Sequence, residues 1–555
     1  MSDFIAADTA RSAVLDPAHL GDITGAFGTI RHHEPRPHGR RWTARLRTLL
    51  AVLGPGLIVM VGDNDAGAFG TYTQAGQNYG TALLWTLLLL VPVLYVNQEM
   101  VLRLGAVTGV GHARLILERF GRFWGAFSVV DLFILNGLTI VTEFIGISLA
   151  LGYLGVSRFW GIVIAACIVV AAASTGSFRR FERFSLALCF FSLLLVPVFV
   201  VVGPQLHPIA QGLFVPRLPG GDARLADVML LIIAIVGTTV APWQLFFQQS
   251  YVIDKRITPR FMAYEKADLW LGILLVVIGA VAMMAFTATA FAGTTGFGKF
   301  SDAGAVARGL EAYAGRGAGV MFALALLDAS IIGASAVSLS TAYAIGDVLA
   351  LRHSLHRKAT DAIGFFAVYA GLIMVAAGLV IFGSDALLGL LTNAVQTLAG
   401  VLLPSATVFL LLLCNDRAVL GPWVNGRWLN LFTGAVIWML VMLSLVLTAA
   451  TVFPDISGTA IVRFLGFGTL LGLIGSVSVG IYRRRRDGDA LGPAAAGRAA
   501  EAPVARMTWR MPPLSQLPRP RMSFATRTWM AVLRGYLVIA VLLVVWKVVA
   551  MAAGH

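Results

Sequence analysis

The chain has 555 residues, of which 58% are hydrophobic and only 13% are charged, and its formal net charge is +14. Its mean hydropathy of +0.82 excludes an ordinary soluble protein, because many runs reach the roughly 20 apolar residues that a membrane-spanning helix needs. Most Lys and Arg residues lie between these runs, where they set membrane topology. We therefore expect an all-α polytopic membrane protein, with the lipid bilayer and not nucleic acid as its partner.

Thirteen apolar runs are predicted to span the membrane. We divide the chain into a basic tail (1–45), a ten-helix core (46–414), two further membrane helices (415–482), a polar linker (483–526) and an additional C-terminal membrane helix (527–555). Both polar segments lack the apolar residues of a packed core and are expected to be mobile. The runs lie near 49–78, 81–102, 124–152, 159–174, 185–203, 226–252, 268–292, 318–350, 362–382, 386–414, 429–452, 460–481 and 528–552.

The basic segments alternate with the predicted spans. Lys and Arg concentrate in the N-terminal tail and in every second loop, whereas the loops between hold few of them. Because basic loops stay in the cytoplasm, we expect a protein of the cytoplasmic membrane with a cytoplasmic N-terminus.

The first and sixth spans contain interruptions. The first carries two acids, Asp63 and Asp65, within "VGDNDAGAFGTY", where Gly62 and Gly67 permit unwinding. A charge at the centre of a bilayer costs at least about 2.5–3.5 kcal/mol, so intramembrane acids suggest a functional site. Asp65 is the stronger candidate, although an acid there is also compatible with a structural pair or a helix cap. Asp63 either caps the broken helix or faces the entry path.

Pro242 lies within the sixth span, in "GTTVAPWQLFFQQS". Proline has no N–H and clashes with the carbonyl four residues earlier, so the Thr238 carbonyl is predicted to be free to bind a ligand. Two five-span units of opposite orientation, each opening with an interrupted helix, are typical of inverted-repeat transporters with a midplane site. The expected fold is therefore a LeuT-like 5+5 inverted repeat with two or three extra C-terminal spans, and an acid at its centre indicates a cationic substrate.

Four stretches resemble the NRAMP (natural resistance-associated macrophage protein) metal transporters. "GPGLIVMVGDNDAGAF…QAG" is similar to the first helix of that family, whose hallmark is Asp-Pro-Gly-Asn. The sequence "TTVAPWQLFFQQS" resembles the sixth helix, with its Met-Pro-His-Asn hallmark. The eighth and tenth helices resemble "AVSLSTAYAIGDVL" (336–349) and "QTLAGVLLP" (396–404). The resemblance covers about residues 50–480.

The resemblance implies a metal site with several substituted ligands. Asp65 keeps the family's carboxylate, Thr238 provides the backbone carbonyl and Gln396 matches the glutamine of helix ten. The family's Asn becomes Ala68 and its Met becomes Ala241, and the site-lining positions also include Gly67, Pro242 and Trp243.

Loss of the thioether changes the expected selectivity. Soft sulfur favours softer transition metals, whereas carboxylate, carbonyl and water suit Mg²⁺ and Mn²⁺. Mg²⁺ usually keeps several waters, and two side chains shortened to alanine leave room for them. The ligand set is similar to that of the NRAMP-related magnesium transporters, so Mg²⁺ or Mn²⁺ is expected as the transported ion, with no resident cofactor.

Proton coupling is expected to be absent. The family's helix-six His is Trp243 here, an Asp of helix three is Ile140, and the ninth span lacks the Arg of proton-coupled members. Of this set only Glu143 remains. Glu143 and Asp63 are the two candidate accessory acids of the site. A buried structural acid hydrogen-bonded to a neighbouring helix is an equal alternative for Glu143.

Other functions remain open. The main alternative is a proton-coupled Mn²⁺/Fe²⁺ symporter, followed by a membrane metal sensor that does not transport. An organic-cation or amino-acid symporter is disfavoured because Asp65 would repel a substrate carboxylate. An enzyme is not expected, because the sequence has no HExxH, no P-loop and no GxSxG at a strand-to-helix turn. The oligomeric state is not determined, and a monomer is expected to suffice.

Overall fold

The computed structural model describes residues 13–31, 42–220, 225–452, 458–488 and 503–518, with four isolated positions between 530 and 538. Its regular structure is helical apart from one short hairpin, β1 (Ile23–Gly25) paired antiparallel with β2 (Gly28–Ile30). The helices are α1 Trp42–Val52, α2 Pro55–Val61, α3 Ala66–Tyr79, α4 Leu84–Thr108, α5 His112–Phe120, α6 Arg122–Tyr153, α7 Arg158–Ala173, α8 Phe178–Phe191, α9 Leu195–Val202, α10 Leu206–Phe214, α11 Leu225–Thr239, α12 Pro242–Asp254, α13 Met262–Phe291, α14 Ala303–Ala314, α15 Arg316–Val348, α16 Ile363–Phe382, α17 Asp385–Cys414, α18 Arg417–Leu420, α19 Arg427–Val452, α20 Gly458–Gly488 and α21 Pro503–Thr508.

Each of the first twelve predicted spans contains at least one of these helices. Within the described residues, eight helices are long and apolar enough to cross a membrane, or ten if each bent pair counts as one span. The apolar helices of the fourth and twelfth predicted spans, Arg158–Ala173 and Thr459–Gly472, are shorter than this. The thirteenth, near 528–552, lies almost entirely outside the described residues.

The first span is broken twice. Helices α1 and α2 meet at an angle of 53°, where Gly54 has a φ of +151° that only glycine adopts readily. Pro55 then starts α2 at its first position, where the missing N–H costs no helical hydrogen bond. The second break, between Val61 and Ala66, carries Asp63 and Asp65 and confirms the interruption predicted from the sequence.

The sixth span is broken where the proline predicts it. Helix α11 ends at Thr239, and α12 begins at Pro242, which again occupies the first helical position. The helix therefore stops and restarts within the membrane. Discontinuous helices at positions one and six are thus both present.

The N-terminal segment differs from the expected tail. Residues 13–31, which we call the N-terminal strap, form a turn and the β1–β2 hairpin, and they bury Ala13, Ile23 and Ala26. The hairpin packs on α1, where a Cβ added to Gly28 would lie 3.2 Å from Ala51 Cβ. The prediction of an unpacked tail is therefore wrong for these residues, because the apolar side chains of the strap are buried against the neighbouring helices.

Buried polar contacts fasten the strap to the loop that follows α15. Asp16 is 2% exposed and accepts hydrogen bonds from the His353 backbone N–H (3.0 Å) and from the Arg357 guanidinium (2.5 and 3.0 Å). Burial works against the charged form of His353, but the Asp347 carboxylate, 3.1 Å from Nε2, outweighs it and raises the pKa of His353 to about 9.

Two more contacts connect the strap to other spans. Arg256, in the loop after α12, donates to the backbone carbonyls of Ala18 (2.9 Å) and Asp22 (3.0 Å). The Ala26 N–H donates to Glu182 on α8 at 2.5 Å, and Glu182 also pairs with buried Lys255 at 2.6 Å. The strap thus contacts the start of the fifth span, the end of the sixth span and the loop after the eighth span.

Part of the predicted polar linker (483–526) also packs on the helical core. The Met511 N–H donates to the Val107 carbonyl at the end of α4, at 3.4 Å, and the Trp509 ring lies against Gly421. The expectation of an unpacked linker is therefore wrong for residues 503–518.

Candidate metal site

Asp65 stands at the second break of the first span and caps α3. Its Oδ1 accepts a hydrogen bond from the Ala68 N–H at 2.8 Å, and the Gly67 N–H also points to the carboxylate. An N-cap carboxylate satisfies helix N–H groups that lack a partner and interacts favourably with the positive end of the helix dipole. The cap and the metal-site interpretations of Asp65 are therefore compatible, since the cap holds the carboxylate in place.

Glu143, on α6, shares this helix end. Its Oε2 accepts from the Ala66 N–H at 3.1 Å, whereas Oε1 has no hydrogen-bond partner among the described residues. The side chain is fully buried and interacts electrostatically with Asp65. The structure therefore brings Glu143 and Asp65 together at one helix N-terminus.

Asp63 faces the other interrupted helix. Its Oδ1 accepts a hydrogen bond from the Gln244 amide, on the first turn of α12, and its Oδ2 is unpartnered among the described residues. The Gln244 carbonyl oxygen in turn accepts from the Gln98 amide at 2.9 Å. Asp63 is fully buried, and Gly62 and Asp65 are the caps of the two helices that flank it, so Asp63 contacts the second interrupted helix instead of capping either one.

Two further contacts connect the first interrupted helix to the second. The Tyr72 and Thr239 hydroxyls are hydrogen-bonded at 2.7 Å, which joins α3 to the end of α11. The Trp243 ring packs beside Gly62, where an added Cβ would lie 3.8 Å from it. Trp243 is 1% exposed, and its carbonyl accepts from Ser340 Oγ of α15 at 2.9 Å.

The remaining predicted positions lie around the same breaks. Ala68 and Ala241 are buried, on α3 and just before α12. Thr238 is buried near the end of α11, and no backbone N–H of the described residues outside the helices donates to its carbonyl. Gln396 belongs to α17, which packs on α11 at Gly400 and Gly237, but the Gln396 side chain lies outside the described residues.

Three acids are buried together at this place. Asp63, Asp65 and Glu143 are each at most 4% exposed, and none forms an ion pair with a Lys, Arg or His of the described residues. Buried charges are normally paired or coordinate a metal. The described residues contain no group of three His, Cys, Asp or Glu side chains arranged to hold a metal ion by themselves, so an ion here would also need carbonyls, amides or water.

Sequence reasoning missed several residues of this site. Gln244, Gln98 and Tyr72 form hydrogen bonds around the breaks. The two glutamines carry a signal, because amide side chains are unusual inside apolar spans, but Tyr72 does not. Gly333 on α15 is a second omission: a Cβ there would lie 2.8 Å from the Glu143 carboxyl and 3.1 Å from Asp65 Cβ. Nothing in the apolar sequence around Gly333 marks this close approach.

The fold and the paired breaks define an integral membrane protein with the LeuT-like inverted repeat. The chain belongs to the natural resistance-associated macrophage protein-like family, whose model matches residues 56–450. It is 31% identical over 418 residues to a protein named divalent metal cation transporter MntH of Ralstonia nicotianae, covering 71% of this chain and 88% of that protein. It is also 30% identical over 407 residues to MntH 1 of Pseudomonas aeruginosa, covering 69% and 88%.

Solved structures agree on the fold. A crystal structure of the Eremococcus coleocola manganese transporter, in complex with an aromatic bis-isothiourea compound, superposes with a TM-score of 0.59. The match has 22% sequence identity and covers 81% of this chain and 97% of that one.

Proposed function

We propose that this chain carries a divalent cation, Mg²⁺ or Mn²⁺, across the cytoplasmic membrane by alternating access and without proton coupling. The observation that carries the proposal is the set of three buried acids, Asp63, Asp65 and Glu143, which gather at two helix breaks without a basic partner. A divalent cation would balance two of the negative charges that these acids can carry. Membership of this family makes the chain a transporter and not an enzyme, and the curated relatives are named divalent metal cation transporters.

The chemistry of the donors favours a hard, hydrated ion. Asp65 and Thr238 offer oxygen, Gln396 offers an amide, and Ala241 stands where a thioether would bind a softer metal. Oxygen donors suit Mg²⁺ and Mn²⁺, and an ion that keeps its waters needs only one or two protein carboxylates. Buried acids such as Asp63 then bind through water.

The absence of proton coupling rests on which titratable groups lie near Asp65. Trp243 occupies the His position of the resemblance and provides no titratable group. Its ring nitrogen has no hydrogen-bond partner among the described residues, and Ile140 provides none either. A proton relay needs a chain of titratable groups, and this one is interrupted.

A proton-coupled Mn²⁺ symporter is the second candidate, and one contact favours it. Glu143 touches the helix end that Asp65 caps, so metal binding at Asp65 would change the charge beside Glu143. A proton released from Glu143 would then accompany the metal.

Uptake into proteoliposomes separates the two mechanisms. The full chain is reconstituted, and Mg²⁺ or Mn²⁺ entry is followed together with internal pH. Metal entry without acidification is the expected result. Mn²⁺ entry with acidification and no Mg²⁺ entry would overturn the uncoupled mechanism and the Mg²⁺ assignment together.

Asp65→Ala tests the site itself and should abolish uptake. The change also removes a helix cap, which costs about 0.5–2 kcal/mol of stability, so a matched control is needed. Asp302 caps α14 in the same way, with its Oδ1 2.8 Å from the Ala305 N–H, but belongs to none of the breaks. Asp302→Ala should lose similar thermal stability and retain uptake; uptake by Asp65→Ala at the wild-type rate would refute the site.

A further inference from the structure

A large groove lies beside the N-terminal strap, and its lining includes none of the three acids of the metal site. Its volume is 1910 Å³, and it is lined by residues of the strap, of α1, of the end of α4, of the segment 253–267 and of the segment 507–511. Pockets for small ligands typically measure about 300–1,000 Å³, so this groove has room for a larger amphipathic molecule.

The charge of the groove is entirely of one sign. Among the described residues its lining contains no Asp or Glu and six arginines, which are Arg31, Arg45, Arg47, Arg256, Arg260 and Arg510. Arg256 is engaged by carbonyls of the strap. Arg31, Arg45, Arg47 and Arg260 are exposed and form no hydrogen bond or ion pair with the described residues. Guanidinium groups bind phosphate through paired hydrogen bonds.

Helix α1, which forms one wall, also has an exposed apolar stripe. Trp42, Leu46 and Leu50 recur every four residues and are 74%, 38% and 37% exposed. The opposite face, with Thr48 and Ala51, is buried against the strap and the core. A helix with basic residues beside such a stripe lies in the membrane interface, with tryptophan at headgroup depth.

From these two observations we propose that the groove binds the headgroup of an anionic phospholipid, with the acyl chains lying along Trp42, Leu46 and Leu50. The headgroup lies among the groove-lining Arg45, Arg47 and Arg260, and the bilayer supplies the ligand.

The test is lipid binding to the purified full-length protein, followed by native mass spectrometry. Phosphatidylglycerol and phosphatidylcholine with identical acyl chains are titrated separately. We expect phosphatidylglycerol to bind at least about tenfold more tightly, since basic residues near a membrane surface attract anionic lipids. Equal binding of the two lipids by the wild-type protein would overturn the proposal.

The variant is the triple change Arg45→Gln, Arg47→Gln and Arg260→Gln, which should abolish the preference for phosphatidylglycerol. Its matched control removes the same charge from three exposed arginines outside the groove. If the groove triple variant still prefers phosphatidylglycerol, the lipid does not bind in this groove. If the control variant loses the preference to the same extent, the overall charge of the protein decides lipid binding. Either result overturns the proposal. The control changes are Arg122→Gln, Arg352→Gln and Arg417→Gln.

Two further measurements keep the proposal falsifiable if the triple variant does not fold. Glycerol 1-phosphate, which has the charge but no acyl chains, should not displace phosphatidylglycerol from the wild-type protein at equal concentration. Full displacement would show that a soluble phosphate is the ligand. Leu46→Gln should weaken phosphatidylglycerol binding while leaving all six arginines in place, and unchanged binding would contradict the role of the apolar stripe.

Discussion

Gly333 marks the point where α15 comes closest to two acids of the metal site. A methyl group at this position would lie 2.8 Å from the Glu143 carboxyl and 3.1 Å from Asp65 Cβ. Non-bonded carbon atoms rest at about 3.5–4.0 Å, so Gly333→Ala must displace either α15 or the two side chains by roughly 0.5–1 Å.

The size of the effect follows from two opposed terms. Inserting a methyl group into a packed interior costs about 1–3 kcal/mol, while alanine stabilises a helix interior by about 0.5–1 kcal/mol relative to glycine. The net loss of stability should be about 1–2 kcal/mol. Binding sites must be held within about 0.5 Å of their working geometry, so the apparent affinity for Mn²⁺ should fall by at least about tenfold.

The assay measures Mn²⁺ uptake into proteoliposomes over a range of concentrations, with thermal melting of the same preparations. Gly137→Ala, on α6, is the control, because an added Cβ there meets no atom of the described residues within 4 Å. That variant should be as stable as the wild type or more so, with unchanged KM. A Gly333→Ala protein with wild-type KM and melting temperature would refute the close approach of α15.

Three further predictions concern single residues. Ala241→Met should strengthen Cd²⁺ binding and weaken Mg²⁺ uptake, because it supplies a soft sulfur ligand; unchanged selectivity would place Ala241 away from the ion. Asp63→Asn keeps an acceptor for Gln244 but removes a buried charge, so Mg²⁺ affinity should fall several-fold while the melting temperature holds or rises; calorimetric titration measures the first, and unchanged affinity would exclude Asp63 from the site. His353 has a folded-state pKa of about 9, above its ordinary 6.5, so its contribution is complete below pH 6.5 and is lost as the pH rises through 9. About 3 kcal/mol is at stake, and His353→Gln should flatten the decline of melting temperature over that range; an equally steep decline would refute the assignment.

The two interruptions of the helices could be predicted because their causes are local. Pro242 lacks an N–H, and its effect depends on no other part of the chain. The break at Asp65 could be predicted equally well, because an acid flanked by glycines inside an apolar run indicates a functional site. The family resemblance and the fold followed from these stretches.

The features that were missed depend on contacts distant in sequence. Gly333 has the same apolar neighbours as many of the chain's other glycines, and only the packing of α15 on α6 distinguishes it. The sequence predicts an unpacked tail at the strap because the strands there have three residues each, too short for a recognisable alternating pattern. Its stability comes from Asp16, Arg256 and Glu182, whose partners lie up to 341 residues away.

The strap also bears on how the protein changes shape. It is fastened to Glu182 in the first repeat and to Arg256 and Arg357 in the second. A movement of one repeat relative to the other that separates Glu182 from Arg256 and Arg357 must break the hydrogen bonds of the strap to at least one of these residues. In the proposed alternating-access mechanism, residues 13–31 are therefore a tether, and the strength of its contacts contributes to the free-energy difference between the two access states. Truncations and fusions at the N-terminus would then shift that balance without touching the ion.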